Sequence, residues 1–329
     1  MCSRDTQGRE RVTTESPTTR ALRTARATLG RMTSLLVLIV TATASTDGSL
    51  VFTDVQSKNL LRVDAAGGTP HVIARDMAIY GGLRPWKQGL MLAATTSHKV
   101  VQINPWCNSS SCGATSIVDV PKAIGAETVS DHFALGGITL CGDDALFVAY
   151  GGNATDGHSG VLRCERCEPG TDCTSKCAVV DGGKAPGAGM HQLGGYAAGV
   201  ECVGDVVLVA DNNNHRVQSI PASCSRSPCS VSTYASKLDY PLGIAKVGDT
   251  ILVTLDESIV SLSPDGSQHP WSKRGDCGYL VQAEDSVLVA SRDVISFDAS
   301  CRGPDCKPAV VWNATGGIAV YSAVAHITR

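Results

Sequence analysis

The chain has 329 residues, of which 43% are hydrophobic, 18% charged and only 5% aromatic; that is enough apolar material for a core of Val, Leu, Ile and Ala, and too much for a globally disordered chain. Its net charge of −3 is uneven: residues 1–31 carry seven Arg, no Lys and three acids, a local +4, which leaves −7 on the remainder. A mildly acidic body without basic stripes argues against nucleic-acid binding, and no nucleic-acid partner is expected.

From the N-terminus, residues 1–31 are rich in Arg, Ser and Thr and show no apolar periodicity. The run Leu35–Val40 follows. It is far too short to cross a bilayer, which takes roughly 20 residues. It fits the apolar stretch of a signal peptide, with Arg31 before it and the small-residue pattern Ala42-Thr43-Ala44 after it. The expected organisation is a leader over residues 1–44, cleaved after Ala44, and one domain over residues 45–329. Met32 offers a second start, because the signal is complete from there. An organelle transit peptide and a short membrane anchor are the competing readings. The expected location is extracellular or the secretory-pathway lumen, with no stable membrane span in the mature form.

Beyond the leader one pattern recurs: Gly, a short apolar strand, an acidic turn, then a strongly apolar strand. It starts at Gly137, Gly199, Gly243 and Gly278, with a divergent copy at Gly82. Starts 55, 62, 44 and 35 residues apart correspond to about one four-stranded blade each. Period-two patterning with Val, Ile and Leu predicts strands, and no segment offers a long helical stripe. Ser49–Asp54 reads as a second strand without a first, while Gly317–Val320 reads as a first strand without a blade. A chain that lends its tail to its own front end would leave this pattern, and closure removes two exposed sheet edges. The predicted fold is an all-β, six-bladed β-propeller whose ring is closed by the N- and C-terminal strands.

The segment Val209-Ala210-Asp211-Asn212-Asn213-Asn214-His215-Arg216-Val217-Gln218 resembles the signature of the NHL repeat, and Tyr240-Pro241-Leu242-Gly243-Ile244-Ala245 resembles the start of such a repeat. Leu92–Val100 matches at equal length, with His98-Lys99-Val100 in place of His215-Arg216-Val217, and the segment from Phe52 keeps the Asp at Asp54. The turns after Leu252 and Leu288 are shorter, and the one after Phe147 is longer. The resemblance implies a propeller, without implying one activity. Asp211, His215 and Arg216 read first as staples within a blade, since a turn Asp can accept from backbone N–H groups. Asp211, Asn213, His215 and Arg216 are also the candidate ligand contacts.

Fourteen cysteines suit an oxidising compartment. Cys107/Cys112, Cys224/Cys229 and Cys301/Cys306 share a spacing, and each falls between a third and a fourth strand. A disulfide across each tight hairpin would add roughly 2 kcal/mol. Cys164, Cys167, Cys173 and Cys177 hold the same place in the third blade. Nested bridges, Cys164 to Cys177 and Cys167 to Cys173, are expected among three connectivities, with a four-thiolate zinc site as the alternative. The pairing of Cys141, Cys202 and Cys277 stays open. Sequons at Asn108, Asn153 and Asn313 are expected glycosylation sites.

No catalytic set is evident: there is no nucleophile elbow, P-loop or paired-His zinc motif. The acidic pairs Asp143-Asp144 and Asp256-Glu257 read as solvated turns, and the glycine-rich stretch Asp181–Gly199 as a flexible rim loop. The leading expectation is a secreted, non-catalytic scaffold that binds an unidentified protein or small molecule, with no cofactor. The alternative is a hydrolase or lyase resembling gluconolactonases or peptide-amidating lyases, with Ca or Zn in the central channel. Leu242, where the lactonases resemble Pro-Asn-Gly, cannot be a ligand.

Overall fold

The computed structural model describes residues 49–327 except 55–56, 65–67, 76, 78–81, 108–112, 131, 153–157, 185–186, 196, 274–277, 284–285, 291–293, 302, 304–305 and 313–323. The leader, the three sequon asparagines, Cys112, Cys277 and Gly317–Val320 lie outside the described residues. All described residues belong to one compact unit, Ala44–Arg329.

Six four-stranded antiparallel sheets form the unit. Blade 1 contains β1 (Ser49–Asp54), β2 (Asn59–Val63) and β3 (His71–Ala74). Blade 2 contains β4 (Leu83–Pro85), β5 (Met91–Ala94), β6 (Lys99–Ile103) and β7 (Thr115–Asp119). Blade 3 contains β8 (Ala134–Cys141), β9 (Ala145–Gly151), β10 (Ser159–Glu165) and β11 (Cys177–Lys184), and blade 4 contains β12 (Ala197–Val203), β13 (Val206–Asp211), β14 (Arg216–Pro221) and β15 (Ser232–Ser236). Blade 5 contains β16 (Ile244–Val247), β17 (Thr250–Thr254), β18 (Ile259–Leu262) and β19 (Gln268–Ser272), and blade 6 contains β20 (Tyr279–Ala283), β21 (Ser286–Ala290), β22 (Val294–Asp298) and β23 (Ala309–Trp312). The tail strand β24 (Val324–Ile327) completes blade 1, pairing antiparallel with β1 from Ser49↔Ile327 to Phe52↔Val324. The sequence placed the closing strand at Gly317; the described strand starts seven residues later.

The repeat-start glycines have a steric cause. A Cβ on Gly82 would lie 2.8 Å from Ile138 N, and one on Gly137 2.7 Å from Val200 N. On Gly199 it would meet Leu242 O at 2.5 Å, and on Gly243 it would meet Gly278 O at 2.6 Å. Each glycine therefore lets its inner strand touch the backbone of the next blade's inner strand, and the chain of contacts forms the ring around the axis.

Outward from that ring, the seams between blades are apolar. Blades 3 and 4 bury Phe147, Ala149 and Val161 against Val207, Val209 and Ile220. Blades 4 and 5 bury Leu208, Ala210 and Val217 against Ile251 and Val253. Alternate residues of each strand serve opposite seams, which is why the second strands read as continuous apolar runs. Each fully buried Val, Leu or Ile contributes about 1.5–3 kcal/mol. The single-turn helix α1 (Val120–Ala123), capped by the Asp119 side chain, was not expected from the sequence. One turn is too short to leave an apolar stripe. No helix among the described residues is long and apolar enough to cross a membrane.

Candidate functional site

The antiparallel meander sorts the connections onto two faces. Turns between second and third strands, and the links from each outer strand to the next inner strand, share one face, the loop face. Turns between first and second and between third and fourth strands share the other. Cys164–Cys177, Cys167–Cys173, Cys224–Cys229 and Cys301–Cys306 bridge third-to-fourth connections, and Cys141–Cys202 joins the ends of β8 and β12. All five therefore lie on the second face. Cys107, also on that face, is disulfide-bonded. The Sγ atoms of Cys164, Cys173 and Cys177 lie within 4.8 Å of one another, but all three are spent on bridges, so no thiolate is left there for zinc.

On the loop face, the turn after β13 explains the NHL-like segment. His215 adopts a left-handed conformation at φ 54°, as do His98 at 61° and Lys58 at 56° at the matching positions. In each case the carbonyl of that residue accepts from the following inter-blade link: Leu238 N to His215 O at 2.9 Å, Val120 N to His98 O at 3.1 Å, Met77 N to Lys58 O at 2.6 Å. The two histidine rings stand edge-on to aromatics, His215 on Tyr240 at 4.5 Å and His98 on Phe133 at 5.2 Å.

The four candidate ligand contacts are all engaged internally. Asp211 is fully buried and accepts from Gly194 N (2.7 Å), Asn214 Nδ2 (2.8 Å) and Arg216 Nε (2.7 Å). Arg216 also donates to the carbonyls of Ala188 (3.3 Å), Gly189 (2.8 Å) and Gln192 (2.8 Å). Asn213 donates to Gly194 O, Asn214 to Gly187 O (2.8 Å) and Asn212 to Pro241 O (3.0 Å). His215 Nδ1 meets Leu238 O at 3.0 Å. The glycine-rich stretch is thus strapped to blade 4, with Leu193 fully buried as an anchor. This corrects the reading of a flexible loop: the described Gly187–Gly194 segment satisfies its backbone groups on polar side chains that the sequence had assigned elsewhere.

The same seam holds residues that the sequence did not single out. Ser159 and Asp181 of blade 3 are on the side facing blade 4: Asp181 is the register partner of Val161 of the seam core, and Ser159 stands two residues before Val161. Gln218 of blade 4 shares the opposing face with Asp211 and Arg216. Asp181 is fully buried, and the half-exposed His191 ring approaches its Oδ1 at 3.4 Å. Burial pushes the Asp181 carboxyl above the usual aspartate range; its bond from Gly182 and the nearby His191 offset this in part, and Asp211 adds to it. Gln218 Nε2 donates to Met190 O at 3.3 Å. Asp181 Oδ2, Gln218 Oε1 and Ser159 Oγ are buried with no hydrogen-bond partner. The available signal was a lone Asp ending the apolar run Ala178-Val179-Val180.

Gly82, Gly137, Gly199, Ile244 and Tyr279 help to line a cavity of about the size of one water. Arg84 of blade 2 donates to Ile138 O of blade 3 (2.9 Å) and reaches on to form an ion pair with Glu201 of blade 4. Burial pushes the Glu201 carboxyl up, and Arg84 pulls it back only in part. Both residues stand two places after a repeat-start glycine, so opposite charges at one repeat position announced the pair. A channel carboxylate bonded to a guanidinium is not free to ligate a metal.

No protein-family model matches the sequence, and no curated protein matches it. Solved structures do match. A chain in a nidogen/laminin complex aligns with TM-score 0.60 at 9% identity, covering 85% of this chain and 98% of that one. A luciferin-regenerating enzyme aligns with TM-score 0.54 at 11% identity, covering 83% and 90%. A gluconolactonase from Xanthomonas campestris aligns with TM-score 0.53 at 12% identity, covering 78% and 80%. At these identities the likeness shows the fold: the chain is a six-bladed β-propeller. The neighbours' differing descriptions carry no activity across.

Proposed function

We propose that this is a secreted, NHL-type propeller acting as a non-catalytic scaffold, which docks a protein partner on its loop face over blades 4 and 5. The carrying observation is the exposure there of two large hydrophobic side chains, Met190 at 59% and Tyr240 at 48%. They flank the blade 4 turn, with His215 edge-on to Tyr240 and Asn213 exposed between the two links. An exposed aromatic beside polar rim residues is the composition of an interface anchor. The Arg84–Glu201 pair across the channel further supports a non-catalytic reading. Disulfide density and the 1–44 leader support secretion, and the nidogen/laminin neighbour is a propeller found in a protein complex. Glycans at Asn108, Asn153 and Asn313 belong to the same proposal.

The test has two arms. Purified protein, with and without added Ca²⁺ or Zn²⁺, is expected to show no lactonase, esterase or lyase turnover; robust metal-dependent turnover ends the proposal. Against an identified partner, Met190→Ser with Tyr240→Ser should weaken binding at least about tenfold, the scale of an interface anchor, with Tm unchanged. Unaltered affinity would remove the docking face.

A further inference from the structure

The polar cap of the blade 3–blade 4 seam has more acceptors than donors. Four of the five orphaned buried side-chain atoms among the described residues, on Ser159, Arg163, Asp181 and Gln218, belong to this seam. Three of those four are oxygens at its loop-face end, beneath the Gly187–Gly194 segment. Gln218 is tied to Met190 O, and Asp181 to the ring of the very next residue, His191, so their free oxygens sit under the same stretch of chain. Ser159 is two residues from Val161, the register partner of Asp181, on the same side of the sheet.

The charges do not close either. Arg216 is committed to Asp211 and to three loop carbonyls. That leaves Asp181 as a fully buried carboxylate with a bond from Gly182 and a half-exposed imidazole on Oδ1, while its Oδ2 has no partner. A buried carboxylate that is only partly bonded destabilises the fold, and orphaned buried oxygens mark a missing donor, water or ion. A carboxylate, an amide oxygen and a hydroxyl are hard ligands, the set that suits Ca²⁺ with its tolerance of irregular geometry.

We propose that the seam binds one Ca²⁺ through Asp181 Oδ2, Gln218 Oε1 and Ser159 Oγ, with water completing the shell, and that the ion fastens blade 4 to blade 3 beneath the Gly187–Gly194 segment. Its ligands come from both blades, Ser159 and Asp181 from blade 3 and Gln218 from blade 4. This site is separate from the central channel, and it does not depend on the docking proposal: either can fail without the other. With one carboxylate in the set, affinity is expected on the order of 10⁻⁴ M.

The experiment follows thermal unfolding of the full chain, cleared of metal, in about 10 mM CaCl₂ and in NaCl of equal ionic strength. At that excess over the expected dissociation constant, Ca²⁺ should raise Tm by about 5 °C. Metal analysis should find one Ca²⁺ per chain. Asp181→Asn and Gln218→Leu should each fold and lose the Ca²⁺-dependent rise, whatever their own Tm. His191→Gln should keep it, because the imidazole faces the other carboxylate oxygen. No rise in the unaltered chain, an equal rise with NaCl, or an equal rise in Asp181→Asn would overturn the proposal and leave water alone satisfying these oxygens.

Discussion

The two faces of the propeller are held by different chemistry. The face carrying the first-to-second and third-to-fourth turns holds all five disulfides resolved between described residues, and one of them, Cys141–Cys202, crosses between blades over 61 residues of chain. The loop face is held by side chains on backbone: Asp211, Asn213, Asn214 and Arg216 on one link, His215 and Asn212 on the next. Blade 5 does the same job more simply. At the position of Ala210, one place before that of Asp211, it has the buried Thr254, whose hydroxyl accepts from Gly243 N and donates to Gly278 O, both at 2.7 Å. The link before blade 5 is short, so one hydroxyl suffices. The link before blade 4 is long, and a carboxylate–guanidinium pair must serve several of its backbone groups. The polar signature is therefore a fastening scaled to loop length, and covalent staples leave the loop face free to vary.

That contrast can be broken from either side. The largest effect should come from Cys141→Ser with Cys202→Ser, which removes a 61-residue loop constraint between neighbouring blades and should cost about 4 kcal/mol. Denaturant unfolding should show the midpoint falling well below that of Cys224→Ser with Cys229→Ser, whose separation of 5 residues is worth about 2 kcal/mol. Equal losses would remove the distinction between inter-blade and hairpin staples. Next, Asp211→Ala strands Arg216 and Gly194 N and should cost about 3 kcal/mol; a change within about 0.5 kcal/mol, the surface range, would deny the strap its role.

The smallest effect is a pH dependence. Asp298 lies on the disulfide face, and the Ser300 side chain and backbone that donate to it hold its carboxyl below the ordinary value. A carboxyl lowered in the folded state contributes stability above its unfolded pKa, and that contribution is lost as pH falls through the folded value. Asp298→Asn should therefore flatten the decline of Tm on the acid side of about pH 4. An unchanged acid limb would show that the turn adds nothing. Asp181 is raised by burial, so its sign is opposite: its ionised form costs stability, and the cost is relieved as pH falls through the raised value.

The sequence made the ring legible because its steric rule is local. A glycine must open each inner strand wherever a Cβ would strike the next backbone, and Gly82, Gly137, Gly199 and Gly243 obey it. The missing first strand at Ser49 likewise announced a tail strand, although β24 lies beyond the expected Gly317–Val320. The seam was less legible. Asp181 and Gln218 are 37 positions apart, and their placement on facing sides of one seam depends on a register shift after Val161 and on the fold of the intervening loop. Asp211 and Arg216 were visible as a motif, but their carbonyl partners were not, because a backbone acceptor leaves no trace in residue identity. Cys141 and Cys202 could not be paired beforehand for a related reason. Their meeting required knowing that β8 and β12 end side by side.

Hydrogen exchange across the Gly187–Gly194 segment tests the account most directly. Its amides at Gly187, Gln192 and Gly194 are bonded to Leu193 O, Gly189 O and Asp211 Oδ1. Slow exchange is expected there in the unaltered protein, and fast exchange confined to this segment in Asp211→Asn, with β13 and β14 still protected. Fast exchange of these amides in the unaltered protein would contradict it.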